Sequence, residues 1–163
     1  AASGDGNRIA TLEYSQESTV VRVWEIRRRT MLAQIEVDPY AVSDIALDAK
    51  GELLFVTHEK KGLMFTKTAK RSELKPLGGD SGSSCTGRLQ WISGLNLLSC
   101  SVSGGELRID RDGKTKNKLE TGLKSSDWIA ASSAGGRRLA AVGGGHLLVW
   151  WIDRVMPRRR RGD

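Results

Sequence analysis

A glycine-centred turn returns along this chain at nearly constant intervals. Asp5-Gly6-Asn7 precedes the apolar residues Ile9, Ala10 and Leu12; Asp48-Ala49-Lys50-Gly51 precedes Leu53 to Val56; Ser132-Ser133-Ala134-Gly135-Gly136 precedes Leu139 to Val142. From Gly6 to Gly51 is 45 positions, from Gly51 to Gly94 is 43, and from Gly94 to Gly136 is 42. A second set of markers keeps step: Trp24 to Phe65 is 41, Phe65 to Ile109 is 44, and Ile109 to Trp150 is 41. A shared period constrains the fold more than any local propensity, because each unit must bury its apolar side against the next.

The unit is legible between Ser18 and Asp38. Thr19, Val20, Val21, Val23 and Trp24 are residue types that suit a pleated sheet and read as an inner strand. Arg27, Arg28, Arg29 and Thr30 interrupt the run, and Met31, Ala33, Ile35 and Val37 then recur at every second position. This is the pattern of a hairpin with an exposed basic turn and a half-buried outer strand.

In this register the first repeat lacks its innermost strand and holds three, near Arg8 to Tyr14, Thr19 to Ile26 and Met31 to Val37. The second holds Val42 to Leu47, Leu53 to His58, Leu63 to Thr68 and a weak outer piece at Glu73 to Leu77. After the loop from Gly78 to Ser84, the third runs through Gly87 to Ile92, Leu95 to Val102, Glu106 to Asp110 and Lys116 to Leu119. The fourth gives Ser126 to Ala131, Arg138 to Val142 and His146 to Ile152. Four short strands in about 40 to 45 residues are the signature of a propeller blade.

The expected fold is therefore all-β: a partial WD40-type β-propeller of about three and a half four-stranded blades. The expected blades are residues 1–39, 40–80, 81–122 and 123–155, making one partial propeller over 1–155, with a basic tail at 156–163. An open arc leaves an uncovered blade face at each end, so a second chain or further sequence is expected to complete it.

STVVRVWEI with MLAQIEV, AVSDIALDAKGELLFVT, GLMFTKT, LQWISGLNLLSCSVSGGELRI and the DRDGKTK hairpin resemble successive blades of WD40-repeat proteins. The similarity is nearest to the cilia- and flagella-associated WD-repeat proteins of the axoneme. It rests on Trp24-Glu25, Leu32 to Val37, Gly62 to Phe65 and Gly105 to Ile109, and spans Gly4 to Asp153. The Gly-His pair that opens a typical repeat is missing from its place, and Trp-Asp is reduced to Trp24-Glu25 and Trp151-Ile152-Asp153. The family's Asp-His-Ser/Thr-Trp tetrad therefore transfers to no residues of this chain. The resemblance implies a scaffold of the axoneme, near microtubule doublets or dynein attachments, with tubulin or dynein-associated subunits as partners.

Composition bounds the alternatives. With 163 residues, 39% of them hydrophobic, the chain can bury one ordinary core, and no apolar run of about 18 residues offers a membrane span. Ala1 is not followed by the basic, apolar and small-residue zones of an export signal, so a cytoplasmic location is expected. Cys85 and Cys100 are too few for a disulfide framework and read as core thiols. The net charge of +7 includes three net units from Arg158 to Asp163, which leaves a mildly basic body and a strongly basic tail.

No motif supports catalysis, a cofactor or a metal. Gly79-Asp80-Ser81-Gly82 matches the tetrapeptide around a serine-protease nucleophile, but the segments around His58 and Asp44 do not resemble the rest of a triad. Ser72-Glu73-Leu74-Lys75 lacks the companion motifs of an S-x-x-K enzyme. Gly143-Gly144-Gly145-His146 has no following Lys-Ser or helix pattern and reads as a hairpin. The candidate partner-binding residues are Arg27, Arg28 and Arg29 in the basic turn, Trp151, and Arg158, Arg159, Arg160 and Arg161 in the tail. Trp24, Trp91, Trp128 and Trp150 read mostly as core, and adjacent Trp150 and Trp151 must face opposite sides of a strand. The expected function is a non-catalytic scaffold for protein–protein interaction; the basic tail motivates the alternative of an RNA-associated propeller in a ribosomal or ribosome-biogenesis particle.

Overall fold

The computed structural model describes residues 1–69, 73–77, 85–92, 97–102, 106–111, 114–120, 129–133, 137–143 and 146–151. These form antiparallel sheets that follow one another along the chain. β1 (Arg8–Tyr14), β2 (Thr19–Glu25) and β3 (Thr30–Val37) make the first, in the order β1-β2-β3. β4 (Val42–Leu47), β5 (Leu53–His58), β6 (Gly62–Lys67) and β7 (Lys75–Pro76) make the second. β8 (Cys85–Ile92), β9 (Leu97–Val102), β10 (Glu106–Arg111) and β11 (Lys114–Glu120) make the third; β12 (Ile129–Ser132), β13 (Arg138–Gly143) and β14 (His146–Trp151) make the fourth. Each sheet is a meander of sequential strands, and no helix occurs among the described residues. β1 lies against β4, β4 against β8, and β8 against β12, so the sheets stack through their leading strands.

Alternation along the strands separates the two faces of each sheet. Ala10, Val21, Val23, Ala33 and Ile35 of the first sheet pack on Val42, Ile45, Leu47, Leu54 and Val56 of the second. The opposite face of the second sheet, with Ala46, Phe55 and Leu63, meets Leu89 and Trp91 of β8. The Phe55 and Trp91 rings stack with centroids 5.3 Å apart. The second sheet is apolar on both sides, as a sandwiched sheet must be, and each fully buried Val, Leu, Ile or Phe side chain contributes about 1.5–3 kcal/mol relative to exposure.

Several details depart from the sequence expectation. The innermost place of the first sheet is not vacant: Ala1 to Ser3 pair there with β1 through Ala1 N–H to Ala10 O, Ala10 N–H to Ala1 O and Ser3 N–H to Arg8 O, each 2.9 Å. Strand β2 ends at Glu25, and Ile26 is 45% exposed in the turn. A bulge between Val23 and Trp24 pairs Trp24 with Met31 and takes Met31 off the buried face, where only Ala33 and Ile35 are fully covered. The outer strand of the second sheet is reduced to Lys75–Pro76, as proline removes a ladder donor.

The tryptophans are less buried than expected. Trp24, Trp91 and Trp150 are half-buried and Trp151 is exposed, while Trp128 lies outside the described residues. The ladders also correct the choice of repeat markers. Phe55 pairs with Phe65, Ala10 with Val23 and Ala140 with Val149, so Phe65 corresponds to Val23 and Val149 rather than to Trp24 and Trp150. A slip of one residue turns a side chain to the other face.

The outward face of the first sheet is wetted and internally satisfied. Arg22 forms an ion pair with Glu13 and donates from Nε to Gln34 Oε1 at 3.1 Å, and Trp24 Nε1 donates to Thr11 Oγ1 at 3.4 Å.

Candidate interaction surfaces

The seam between the first two sheets is polar at one rim. Arg8 Nη1 donates to Gly51 O at 2.8 Å and to Thr68 Oγ1 at 2.9 Å, and Thr68 Oγ1 itself donates to Gly51 O at 2.6 Å. The two glycine turns lie side by side, with Asp5 N–H donating to Ala49 O at 2.9 Å. Gly51 has φ +69°, the left-handed region that a glycine occupies without cost, and a Cβ there would stand 2.8 Å from Arg8 Cβ. A cleft of about 500 Å³ opens beside this knot between Arg8, Leu32, Glu52, Leu53 and Lys67. Its principal cation is engaged as a clamp between sheets, and Asp48 Oδ1 accepts from Leu53 N–H at 2.9 Å.

A second cleft, of about 310 Å³, lies between the Ala1–Gly4 segment and strands β4 and β8. Asp44 stands in it with both oxygens used: Oδ1 accepts from Ile45 N–H and Oδ2 from Leu89 N–H, each at 2.9 Å. This carboxylate joins the second sheet to the third, and Trp91 Nε1 on the cleft wall is buried without a partner among the described residues. At the opposite rim Tyr14 donates from its hydroxyl to Val42 O at 3.0 Å and stacks on Tyr40, centroids 6.1 Å apart.

His58 is buried, and its Nδ1 accepts from Lys60 N–H at 3.2 Å and Lys61 N–H at 3.3 Å, so that nitrogen carries no proton. Burial, and then the Lys61 charge, lower its pKa below the ordinary 6.5. His58 is a turn-capping base; Ser81, of the protease-like tetrapeptide, lies outside the described residues. Gly143 pairs with His146 where β13 and β14 meet, and Gly144 and Gly145 lie outside the described residues. Among the described residues, no three His, Cys, Asp or Glu side chains cluster as metal ligands, and no helix is long and apolar enough to cross a membrane.

Arg27, Arg28 and Arg29 form the exposed turn between β2 and β3. Arg28 reaches Glu25 at 3.6 Å, Arg29 adopts φ 53°, and Ile26 N–H donates to Asn7 O at 2.9 Å, tying this turn to the first glycine turn. Trp151 closes β14 at 42% exposure, with the Arg138 guanidinium 4.2 Å from its ring centroid. The structure keeps these two groups in different sheets, and Arg158 to Arg161 lie outside the described residues.

The fourth sheet carries an uncovered end face of the kind expected of an open arc, at residues that the sequence did not single out. In the second sheet, Ala46, Phe55 and Leu63 occupy the face covered by β8 and are 4%, 4% and 1% exposed. The same ladder positions in the fourth sheet are Ala131, Ala140 and Leu147. Ala131 is exposed, Leu147 is 68% exposed, and Val142 and Val149 beside it are 49% and 55% exposed. The other side of this sheet is closed, with Leu139 and Ala141 buried. The available signal was Leu147-Leu148-Val149-Trp150-Trp151, apolar at both parities as a sheet between two neighbours requires.

No family model and no curated protein sequence matches this chain. Its structure is similar to the crystal structure of a functionally unknown protein from Desulfotomaculum acetoxidans, with a TM-score of 0.72 and 13% identity over 95% of this chain. It is also similar to the structure of the Dos1 propeller, with a TM-score of 0.66 and 10% identity over 93% of this chain. The described sheets make an arc of a β-propeller. The chain spans 51% of the first of these proteins and 40% of the second.

Proposed function

We propose that this propeller arc is a non-catalytic scaffold that holds other proteins in a large assembly. A propeller-like fold suits such a role, since rigid stacked sheets present edges, rims and faces without reacting groups. The observation that carries the reading is the uncovered apolar face of the fourth sheet: Val142, Leu147 and Val149 stand exposed at ladder positions that the second sheet buries beneath its neighbour. A contiguous exposed apolar patch of this kind marks an interaction surface.

At finer grain, the scaffold is a WD40-repeat component of the ciliary or flagellar axoneme, on the strength of the strand motifs around Trp24-Glu25 and Gly105 to Ile109. The test is crosslinking and mass spectrometry on native assemblies, comparing wild type with Leu147→Glu. Crosslinks from the fourth sheet to neighbouring proteins, lost in the variant at unchanged melting temperature, support the scaffold. Unaltered crosslinks defeat it. Microtubule-doublet or dynein-associated neighbours support the axonemal reading, whereas ribosomal neighbours favour the RNA-associated alternative motivated by Arg158 to Arg161.

A further inference from the structure

The meander topology sorts the ends of the strands onto two rims, and the rims differ in charge. One rim gathers the exit of each third strand of a blade together with the glycine turns, as the Asp5 to Ala49 and Arg8 to Gly51 hydrogen bonds record. On its outer part stand Arg27, Arg28 and Arg29 after β2, Lys67 at the end of β6, and Arg111 and Lys114 at the paired ends of β10 and β11. The other rim carries Glu17 after β1, Asp38 after β3 and Glu59 after β5, with Glu106 and Glu120 paired at the far ends of β10 and β11. Among the described residues, Lys60 and Lys61, which follow the buried His58, and Arg88, whose charge acts on Tyr14, are cations there.

Of the acids on the basic rim, Glu52 stands exposed in the cleft with Lys67, and the others are occupied. Asp5 accepts from Ser3 Oγ at 2.7 Å and from Asn7 N–H at 3.0 Å, which brings its carboxyl down to about 2, and Asp48 accepts from Leu53 N–H. Glu25 faces Arg28 alone. Among the described residues, no carboxylate pairs with Arg27 or Arg29. Three consecutive exposed arginines, with Lys67 at the same station of the second blade, make a patch of positive charge on this rim.

Taking the scaffold reading as its basis, we infer that this rim, centred on the Arg27-Arg28-Arg29 turn, binds an acidic peptide segment rich in Glu or Asp. Guanidinium groups pair with carboxylates in bidentate fashion, and repeated hairpin stations suit an extended anionic chain better than one compact anion. Single-stranded nucleic acid is the less suitable occupant, because base stacking needs aromatic platforms beside the cations. The stacked tyrosines Tyr14 and Tyr40 are on the opposite rim, and one face of Trp151 on the basic side is taken by the Arg138 guanidinium.

The test measures anisotropy of a labelled oligoglutamate peptide with the full chain at two ionic strengths. The expected result is saturable binding that weakens with salt, reduced about tenfold by the combined R27E, R28E and R29G changes. Glycine is used at position 29 because the backbone is left-handed there. Thermal melting checks that the variant is folded, and Glu17→Lys with Glu59→Lys on the other rim should leave binding undiminished. The inference is overturned if oligoglutamate does not bind, if the triple variant binds like wild type, if deleting Arg158 to Arg161 alone abolishes binding, or if oligouridylate binds more tightly than oligoglutamate. Because the crosslinking test reads Leu147 on a different surface, scaffold function and this rim can fail separately.

Discussion

The guanidinium of Arg8, in the first sheet, donates to the carbonyl oxygen of Gly51 at the entrance to the second, 2.8 Å away. The same nitrogen holds Thr68 Oγ1, so one side chain ties two blades together beyond their apolar packing. Charge-assisted hydrogen bonds of this sort are worth more than neutral ones. Arg8→Met, which keeps the aliphatic stem, is expected to lower unfolding free energy by about 1–3 kcal/mol in urea titrations. An unchanged midpoint would mean that apolar contacts alone set the seam.

Two glycines with nearly equal φ separate backbone strain from crowding. Gly6 has φ +68° and open space, with nothing within 4 Å of where a Cβ would stand, whereas a Cβ at Gly51 would meet Arg8 Cβ and Cδ at 2.8 Å. Gly6→Ala should cost about 1–2 kcal/mol, the left-handed penalty alone. Gly51→Ala should cost visibly more, since it also displaces the Arg8 clamp. Equal losses in denaturant melts would refute the crowding account.

Asp44 accepts one backbone N–H from its own sheet and one from the next. Asparagine can reproduce only one of these, because its amide nitrogen would confront a second donor. Asp44→Asn is expected to destabilise by about 1–3 kcal/mol. The accompanying local sign would be faster hydrogen exchange at Leu89, and protection equal to wild type would count against the bridge.

His58 gives the fold a pH dependence of predictable sign. Its pKa is lowered in the fold by burial and by Lys61, and its Nδ1 must stay unprotonated to accept from Lys60 and Lys61. The unfolded chain therefore binds more protons, so this contribution is complete above the unfolded value of 6.5 and is lost as pH falls through the lower folded value. Asp5, held near 2, contributes above its ordinary 3.8 and loses that contribution only as pH falls toward 2. The urea midpoint of wild type should drop as pH falls below about 6.5, and His58→Asn, whose carbonyl can cap the same turn, should flatten that drop. Parallel pH profiles would exclude His58 as its source.

Leu63 and Leu147 occupy one ladder position in different sheets, at 1% and 68% exposure. Leu63→Ala should cost about 2–5 kcal/mol through lost transfer energy and a cavity. Leu147→Ala should stay within about 0.5 kcal/mol in the isolated chain. A large loss at Leu147 would show that its face is already covered.

The period of the glycine turns and the alternation of apolar residues made the strand order readable, because both follow from local chemistry and from each sheet needing a neighbour. Thr19 to Glu25 and Leu53 to His58 are clear for that reason. The face of individual residues was harder to read. The bulge at Val23/Trp24 shifts parity within the ladder, and aromatic size drew the repeat marker to Trp24 when Val23 is the residue in register. The short pairing of Ala1 to Ser3 carries no propensity signal and is held by backbone hydrogen bonds. An uncovered end face was expected, but its residues could not be named, because Leu147 and Leu63 are the same residue type and only packing tells them apart.

The contrast between the two outermost sheets gives the arc a direction. One end meets water with Glu13, Arg22 and Gln34 already satisfying one another. The other presents a dry surface still to be matched. Stacking onto the dry end gains apolar contact without stranding a charge, while stacking onto the wetted end would have to strip water from an ion pair. A contact on the β14 face therefore costs less desolvation than one on the face that holds Arg22.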